Sequence, residues 1–210
     1  MDNVGPFQEL EVKYYVGDLA QVERRLLDLG AALSQPRTLE VNLRFDTAQN
    51  ELAQSLRVLR LRQDTAARLT FKGPAQSYGG ARLRQEIEFV VSDFEAARAF
   101  LEALGYQVIV IYEKYRAMYE LAGVHVTLDE MPYGTFVELE GPDPLSLQIV
   151  NQKLALDWQV QVFGSYTSIF EQLKAEQGYN FRDLTFENFQ GIAITPEMLH
   201  VTLADKKQSG

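Results

Sequence analysis

Gln8-Glu9-Leu10-Glu11-Val12-Lys13 carries a charge at every second position, and Gln85-Glu86-Ile87-Glu88-Phe89 repeats the pattern in the second half of the chain. Successive side chains of a β-strand point to opposite faces. Glu9, Glu11 and Lys13 therefore share one face with Leu10 and Val12 on the other, and in the copy Glu86 and Glu88 stand against Ile87 and Phe89. The segments just C-terminal to the two copies also correspond: an amphipathic helix opens at Asp18 or Ser92 and closes at Leu29-Gly30 or Leu104-Gly105. A repeated strand-helix unit with a charged strand face implies an internal duplication and a pseudo-symmetric sheet with a polar interior.

The rest of the chain extends this plan. Residues 7–16 read as a strand, and the box Asp18-Leu19-Ala20-Gln21 starts a helix with Leu19, Val22, Leu26 and Leu29 on one face. Strands come next at 39–46, 54–62 and 67–73, and residues 75–81, with Gly79 and Gly80, read as a loop. The second half gives a strand at 82–91, the box Ser92-Asp93-Phe94-Glu95, a helix carrying Phe94, Ala97, Leu101 and Leu104, and strands at 107–120, 123–130 and 135–140. Short turns at Ala122-Gly123 and Pro132-Tyr133-Gly134 make the last three strands antiparallel neighbours. The reading is an α+β body of eight strands and two equivalent helices, with C-terminal helices at 144–156 and 165–178. Residues 1–178 are read as one domain and 179–210 as an extension. Phe181, Leu184, Phe186, Phe189, Ile192 and Ile194 are too apolar for a linker, so the extension is expected to pack on the body, with Asp205 to Gly210 as a loose end.

Composition narrows the function classes. The 210 residues are 46% apolar and 23% charged, ordinary for a globular protein, and include no cysteine. Disulfides and thiolate metal sites are thereby excluded, leaving carboxylates and two histidines, a donor set for a hard cation such as Mg²⁺ or Mn²⁺. The net charge of −9 argues against general nucleic-acid binding. No apolar run approaches the roughly 18 residues of a membrane span and no basic hydrophobic leader is visible, so a cytoplasmic location without membrane contact is the default expectation.

The charge phase holds from strand to strand. Arg60 and Arg62 alternate with Leu59 and Leu61, Arg84 is in phase with Glu86 and Glu88, Lys72 opposes Leu69 and Phe71, Lys114 and Arg116 are in phase, and Glu138 and Glu140 oppose Val137 and Leu139. On a single strand such a face usually meets solvent. Repeated on many strands, it describes charges converging across a closed sheet. Like charges two residues apart lie about 7 Å apart, and a close like-charge contact costs up to roughly 4 kcal/mol at an effective dielectric of 20. A divalent cation offsets the carboxylates and a polyanion offsets the Lys and Arg, which together describe a metal–polyphosphate complex.

These motifs resemble the CYTH domain family, the triphosphate tunnel metalloenzymes, which include class IV adenylyl cyclases, thiamine triphosphatases and inorganic tripolyphosphatases. Glu9-Leu10-Glu11-Val12-Lys13 is similar to the family's ExExK signature. Leu59-Arg60-Leu61-Arg62, Leu69-Thr70-Phe71-Lys72-Gly73-Pro74, Arg84-Gln85-Glu86-Ile87-Glu88, Lys114-Tyr115-Arg116, Leu128-Asp129-Glu130 and Gly134-Thr135-Phe136-Val137-Glu138-Leu139-Glu140 resemble its remaining motifs in order, over about residues 7–170. The resemblance implies an eight-stranded antiparallel β-tunnel, a closed barrel with helices packed outside. It implies that Glu9, Glu11, Glu138 and Glu140, with Asp129 contributing, ligate Mg²⁺ or Mn²⁺. Lys13, Arg60, Arg62, Lys72, Arg84, Lys114 and Arg116 would bind the triphosphate, with Glu86 and Glu88 on the tunnel wall. Lys13, beside Glu9 and Glu11, is also a candidate general base through a lowered pKa.

Some positions depart from the pattern. Arg44 stands where the family has an aromatic residue before Phe45-Asp46-Thr47, and Arg57 is out of phase with Arg60 and Arg62 and reads as surface. Tyr115 and Tyr119 oppose Lys114 and Arg116 and read as packing, as does Trp158. His125 shares parity with Asp129 yet reads as structural or exposed, and His200 has no evident partner. Ser165-Tyr166 resembles a pair near the end of cyclase-type members, although Ser is an ordinary N-cap. The extension leaves a lid or a homodimer arm as readings beside plain core burial. The leading expectation is hydrolysis of tripolyphosphate, ATP or thiamine triphosphate; the alternatives are cyclisation of ATP to cyclic AMP and a phosphate-ligand binding module.

Overall fold

The structure, a computed structural model, describes residues 5–205. Its elements are β1 (Gln8–Val16), α1 (Leu19–Asp28), β2 (Ala32–Asp46), α2 (Glu51–Gln54), β3 (Val58–Gln63), β4 (Ala67–Tyr78), β5 (Ala81–Val91), α3 (Phe94–Ala103), β6 (Gln107–Leu121), β7 (Val124–Met131), β8 (Gly134–Glu140), α4 (Pro144–Lys153) and α5 (Tyr166–Gln177). All strand pairs are antiparallel, and the sheet closes into a barrel in the order β1-β5-β4-β3-β2-β6-β7-β8. Exchanging β1–β4 for β5–β8 maps this ring onto itself, and Gln8 pairs with Gln85, its counterpart in the repeat. The duplication seen in the sequence is thus a two-fold pseudo-symmetry of the barrel.

Several boundaries differ from the sequence reading, each for a local reason. The segment at 54–57 is not strand: Glu51–Gln54 forms a short helix, its backbone N–H groups bound by the Asp46 carboxylate at 2.9 Å, and β3 begins at Val58. The expected loop at 75–81 is strand up to Tyr78, because a bulge between Lys72 and Ala75 lets β4 stay paired with β5 up to a turn at Gly79-Gly80. At Gly79, with φ +60°, a Cβ would also lie 2.4 Å from Pro144, so only glycine fits. The α3 cap is Asp93 rather than Ser92, its carboxylate accepting from Ala96 N at 2.9 Å as Asp18 accepts from Gln21 N at 2.8 Å.

The apolar strand faces point outward and are covered. Leu10, Val12, Val126, Leu139 and their neighbours pack under Val22 and Leu26 of α1 and Leu147, Val150 and Leu154 of α4, while α3 sets Leu101 against Leu43, Phe45 and Leu61. Each such fully buried side chain contributes about 1.5–3 kcal/mol. A third cluster joins α5 and the extension to one end of the barrel, where Tyr15 and Phe136 meet edge-on at 5.2 Å and Phe136 meets Tyr166 at 5.1 Å.

Beyond Gly178 the chain is irregular apart from one turn of 3-10 helix at Glu197–Leu199. It lies along the body through parallel bridges from Tyr112 to Leu184 and from Tyr15 to Leu203. Asp205 is not loose: its carboxylate accepts from the backbone N–H of Gly17 at 2.9 Å and of Asp18 at 2.8 Å, fixing the start of α1. The remainder of the expected loose end, 206–210, lies outside the described residues. Among the described residues no helix is long and apolar enough to cross a membrane.

Candidate active site

Strand alternation and closure together aim the charged rows inward. Glu9, Glu11 and Lys13 on β1 lie beside Arg84 and Arg82 of β5 on one side and Glu140 and Glu138 of β8 on the other, in the register Glu9 to Arg84, Glu11 to Arg82 and to Glu140, and Lys13 to Glu138. The side chains then pair along the inner wall, with partners one or two strands away. Arg84 donates to Glu9 at 2.6 Å and to Glu11 at 2.9 Å, Lys72 reaches Glu9 and Glu86 at 3.0 Å, and Lys13 reaches Glu138 at 3.1 Å. Arg116 bridges Asp129 at 2.6 Å and Glu138 at 2.6 Å.

These groups surround one cavity of about 110 Å³, lined by eight basic and four acidic side chains. With about 10–15 Å³ needed per water, the space holds several waters as it stands. An anion that enters meets guanidinium and ammonium groups already paired with carboxylates and competes with those carboxylates for them. The excess of cations sets the sign: the lining favours a polyanion, and its four carboxylates are left for a cation that comes with it. The cluster of Tyr15, Phe136 and Tyr166 seals the lumen where the inward row of β1 turns apolar after Lys13.

The electrostatics divide the carboxylates. Burial opposes ionisation of Glu9, but Lys72 and Arg84 outweigh it and hold the carboxyl well below the usual range; Lys13 and Arg116 do the same for buried Glu138. Glu86 is pushed up to about 7 by burial and by Glu9, against the pull of Lys72. Glu140 is pushed up to about 8 by burial and then by Glu9 and Glu86. Glu140 keeps an exposed edge, so the neighbouring carboxylates are the firmer of its two causes.

Among the described residues no group of three or more His, Asp or Glu is already gathered closely enough to hold a metal. The donor set nonetheless fits a hard cation: Glu9, Glu11, Glu138 and Glu140 offer only carboxylate oxygens on adjacent strands, and burial together with neighbouring carboxylates pushes Glu86 and Glu140 toward protonation. Asp129 is committed elsewhere. It is fully buried and accepts from Lys114 at 3.1 Å, from Arg116 at 2.6 and 2.5 Å and from the Tyr166 hydroxyl at 2.7 Å.

Most residues singled out from the sequence line this cavity: Glu9, Glu11, Lys13, Arg60, Lys72, Arg84, Lys114, Arg116, Glu138 and Glu140. Arg62, Glu86, Glu88 and Asp129 stand outside its lining. Arg62 and Arg60 share Glu88 at 3.1 and 3.2 Å, and Arg62 also reaches Glu40 at 3.3 Å. Sequence reading missed Glu40 and Arg44, although both share the inward parity of Asn42 on β2, and it missed Arg82, in phase with Arg84; the alternation was there to be seen. Arg44, where an aromatic residue was expected, lines the cavity and donates to Thr167 at 3.0 Å. Tyr166 and Thr167 arrive from the start of α5, which strand periodicity does not reach.

The out-of-phase residues lie outside. Arg57 is exposed and bonds Ser55 at 2.7 Å, Tyr115 stacks under Arg37 at 3.6 Å, and the Tyr119 hydroxyl donates to Glu23. His125, although in phase with Asp129, is exposed beside Glu120, and His200, expected to be unpartnered, lies 2.9 Å from Glu176. The phase assignment can be tested by substitution. Arg60→Ala, by removing a charge-assisted donor worth about 1.5–3 kcal/mol from the cavity lining, should weaken the binding of a polyanion probe such as tripolyphosphate roughly 10- to 100-fold, while Arg57→Ala leaves it unchanged. Equal effects in calorimetric titration would contradict the inward assignment.

The barrel has solved counterparts. A candidate adenylate cyclase from Vibrio parahaemolyticus superposes with a TM-score of 0.72 at 22% identity, covering 80% of this chain and 99% of its own. A protein from Pyrococcus horikoshii gives 0.64 at 24% identity, covering 76% and 98%. A Hippeastrum protein, described as a candidate adenylyl cyclase with a dominant triphosphatase activity, gives 0.60 at 19% identity, covering 78% and 95%. At these identities the likeness speaks for the fold. No curated protein matches the chain significantly. The sequence itself matches the CYTH domain over residues 8–162, the whole barrel from the first residue of β1 through the segment that leads into α5. The chain belongs to the CYTH domain family.

Proposed function

We propose that this protein is a divalent-metal-dependent enzyme that hydrolyses inorganic or organic triphosphates. The observation that carries the reading is the lumen cavity lined by eight basic and four acidic side chains. In this reading Lys13, Arg60, Lys72, Arg84, Lys114 and Arg116 hold the phosphate oxygens, joined by Arg44 and Arg82, and Glu9, Glu11, Glu138 and Glu140 hold Mg²⁺ or Mn²⁺. The bound cation would neutralise charge on the phosphate oxygens. Asp129 acts as a positioning residue, aiming Lys114 and Arg116, while Glu86 and Glu88 orient Lys72, Arg60 and Arg62. Lys13 directs its ammonium to Glu138, to the Gly164 carbonyl at 3.4 Å and to the Tyr166 ring at 4.0 Å, so it is assigned to phosphate rather than to proton abstraction.

Water attacks the terminal phosphorus and gives its proton to a phosphate oxygen or to solvent, the bridging P–O bond breaks, and the departing oxygen carries charge that the bound cationic side chains stabilise. Cyclisation of ATP would use the same phosphate apparatus with the ribose 3′-hydroxyl as nucleophile, but it demands a further constraint on the ribose. The deciding experiment incubates the protein with tripolyphosphate, ATP and thiamine triphosphate under Mg²⁺ or Mn²⁺ and measures phosphate, pyrophosphate and cyclic AMP. Phosphate release supports the proposal; cyclic AMP with equal pyrophosphate replaces it with the cyclase, and binding without product replaces it with a binding module.

The raised Glu86 carboxyl adds a pH signature. In metal-free protein, Glu86 stays protonated up to about 7, whereas in the unfolded chain it titrates near 4.5. The native state then binds more protons than the unfolded state between these values, so stability should fall as pH rises through that window. Mg²⁺ or Mn²⁺ should restore it most at the alkaline end, where the ligands are ionised. Melting temperatures in EDTA that stay level or climb through the window would contradict this.

A further inference from the structure

The inward row of β4 runs Arg68, Thr70, Lys72 and then, past the bulge, changes to Ala75 and Ser77, which pair with Arg84 and Arg82 of β5. Cross-strand partners face the same side of a sheet. The inner surface of the β4-β5 hairpin thus turns from charged to small and neutral where it leaves the barrel. Phe163, on the segment leading into α5, stands over this stretch with 71% of its surface exposed. Together Ala75, Gln76, Ser77, Ala81, Arg82 and Phe163 bound a second cavity of about 260 Å³ with a largely apolar lining and no carboxylate.

Arg82 joins the two spaces. It lines both the charged cavity and this shelf, is 27% exposed, and lies 3.4 Å from the Phe163 carbonyl and 3.8 Å from Glu11. An exposed aromatic ring over small residues suits a flat ring system: Phe163 stacks on it while Ala75 and Ser77 leave it room. A cationic ring finds no counter-charge in the lining and meets Arg82 instead.

We propose that this shelf binds the neutral planar base of a nucleoside triphosphate whose phosphates occupy the charged cavity, and that Phe163 is a specificity residue for organic over inorganic triphosphate. This rests on the triphosphate reading above, and tripolyphosphate separates the two claims because it has phosphates and no base. The test compares kcat/KM for ATP and for tripolyphosphate, with Mg²⁺, in the wild-type protein, Phe163→Ala and Phe163→Trp. Phe163→Ala should lose about tenfold in kcat/KM for ATP, through KM, and keep its rate on tripolyphosphate; Phe163→Trp should restore ATP. Because Phe163 is exposed, the variants should fold as the parent does, checked by melting temperature. Equal losses on both substrates, or no loss on ATP, would overturn the shelf while leaving the triphosphate reading standing. Absence of turnover of both by the wild-type protein would sink that reading and the shelf with it.

Discussion

Glu138→Gln is expected to lower metal-dependent turnover by at least about 10²–10³-fold while the protein stays folded. The substitution keeps the size of the side chain and an oxygen that accepts from Lys13 or Arg116, but it removes the charge that both cations share at 3.1 and 2.6 Å. Two effects then act together. The proposed ligand set loses a full negative charge, and Lys13 loses its carboxylate partner while Arg116 keeps only Asp129, so the site becomes more cationic just where a metal should enter. The anion-binding side should survive, so tripolyphosphate binding measured without metal should hold or tighten even as turnover disappears. Unchanged activity in Glu138→Gln and in Glu9→Gln would rule out the metal site.

Asp129→Ala should be the most destabilising single change in the tunnel, at about 3–5 kcal/mol, because it strands buried cations rather than merely deleting a contact. Lys114 is only 2% exposed and shares Asp129 with Arg116 and the Tyr166 hydroxyl. Removing the carboxylate leaves Lys114 only Glu40 as an ionic partner, at 3.5 Å, and takes away the acceptor of the Tyr166 hydroxyl. For a chain of this length the loss corresponds to a fall of roughly 6–20 °C in melting temperature. Denaturant unfolding that shows a loss under about 1 kcal/mol would mean that the cluster holds without its central carboxylate.

How far the sequence reached depends on which physical signal each residue carries. Barrel and site both rest on period-two alternation, which is local, and the rows through Glu9, Arg60, Arg84, Lys114 and Glu138 could be phased strand by strand. The pairing Gln8 to Gln85 then gave the internal repeat a geometric meaning. Alternation does not report how far along the lumen a residue sits. Arg62 and Glu88 are in phase yet stand outside the cavity lining, and Asp129 is in phase yet committed to protein donors. The contribution of Tyr166 and Thr167 comes from a helix N-terminus folded across the barrel end, a long-range packing outcome that no local pattern encodes. The extension was legible as apolar, while the anchoring of Gly17 and Asp18, just ahead of α1, by Asp205 depends on a contact 188 residues distant in sequence.

Metal and triphosphate are proposed to occupy one lumen together, each taking the partners that now pair with one another. Calorimetric titration of tripolyphosphate into the protein, with Mn²⁺ and then with EDTA, measures this directly. The prediction is a single site per chain whose affinity rises with Mn²⁺ in the wild-type protein and loses that dependence in Glu138→Gln. Affinity indifferent to Mn²⁺ in the wild-type protein, or no binding at all, would contradict it.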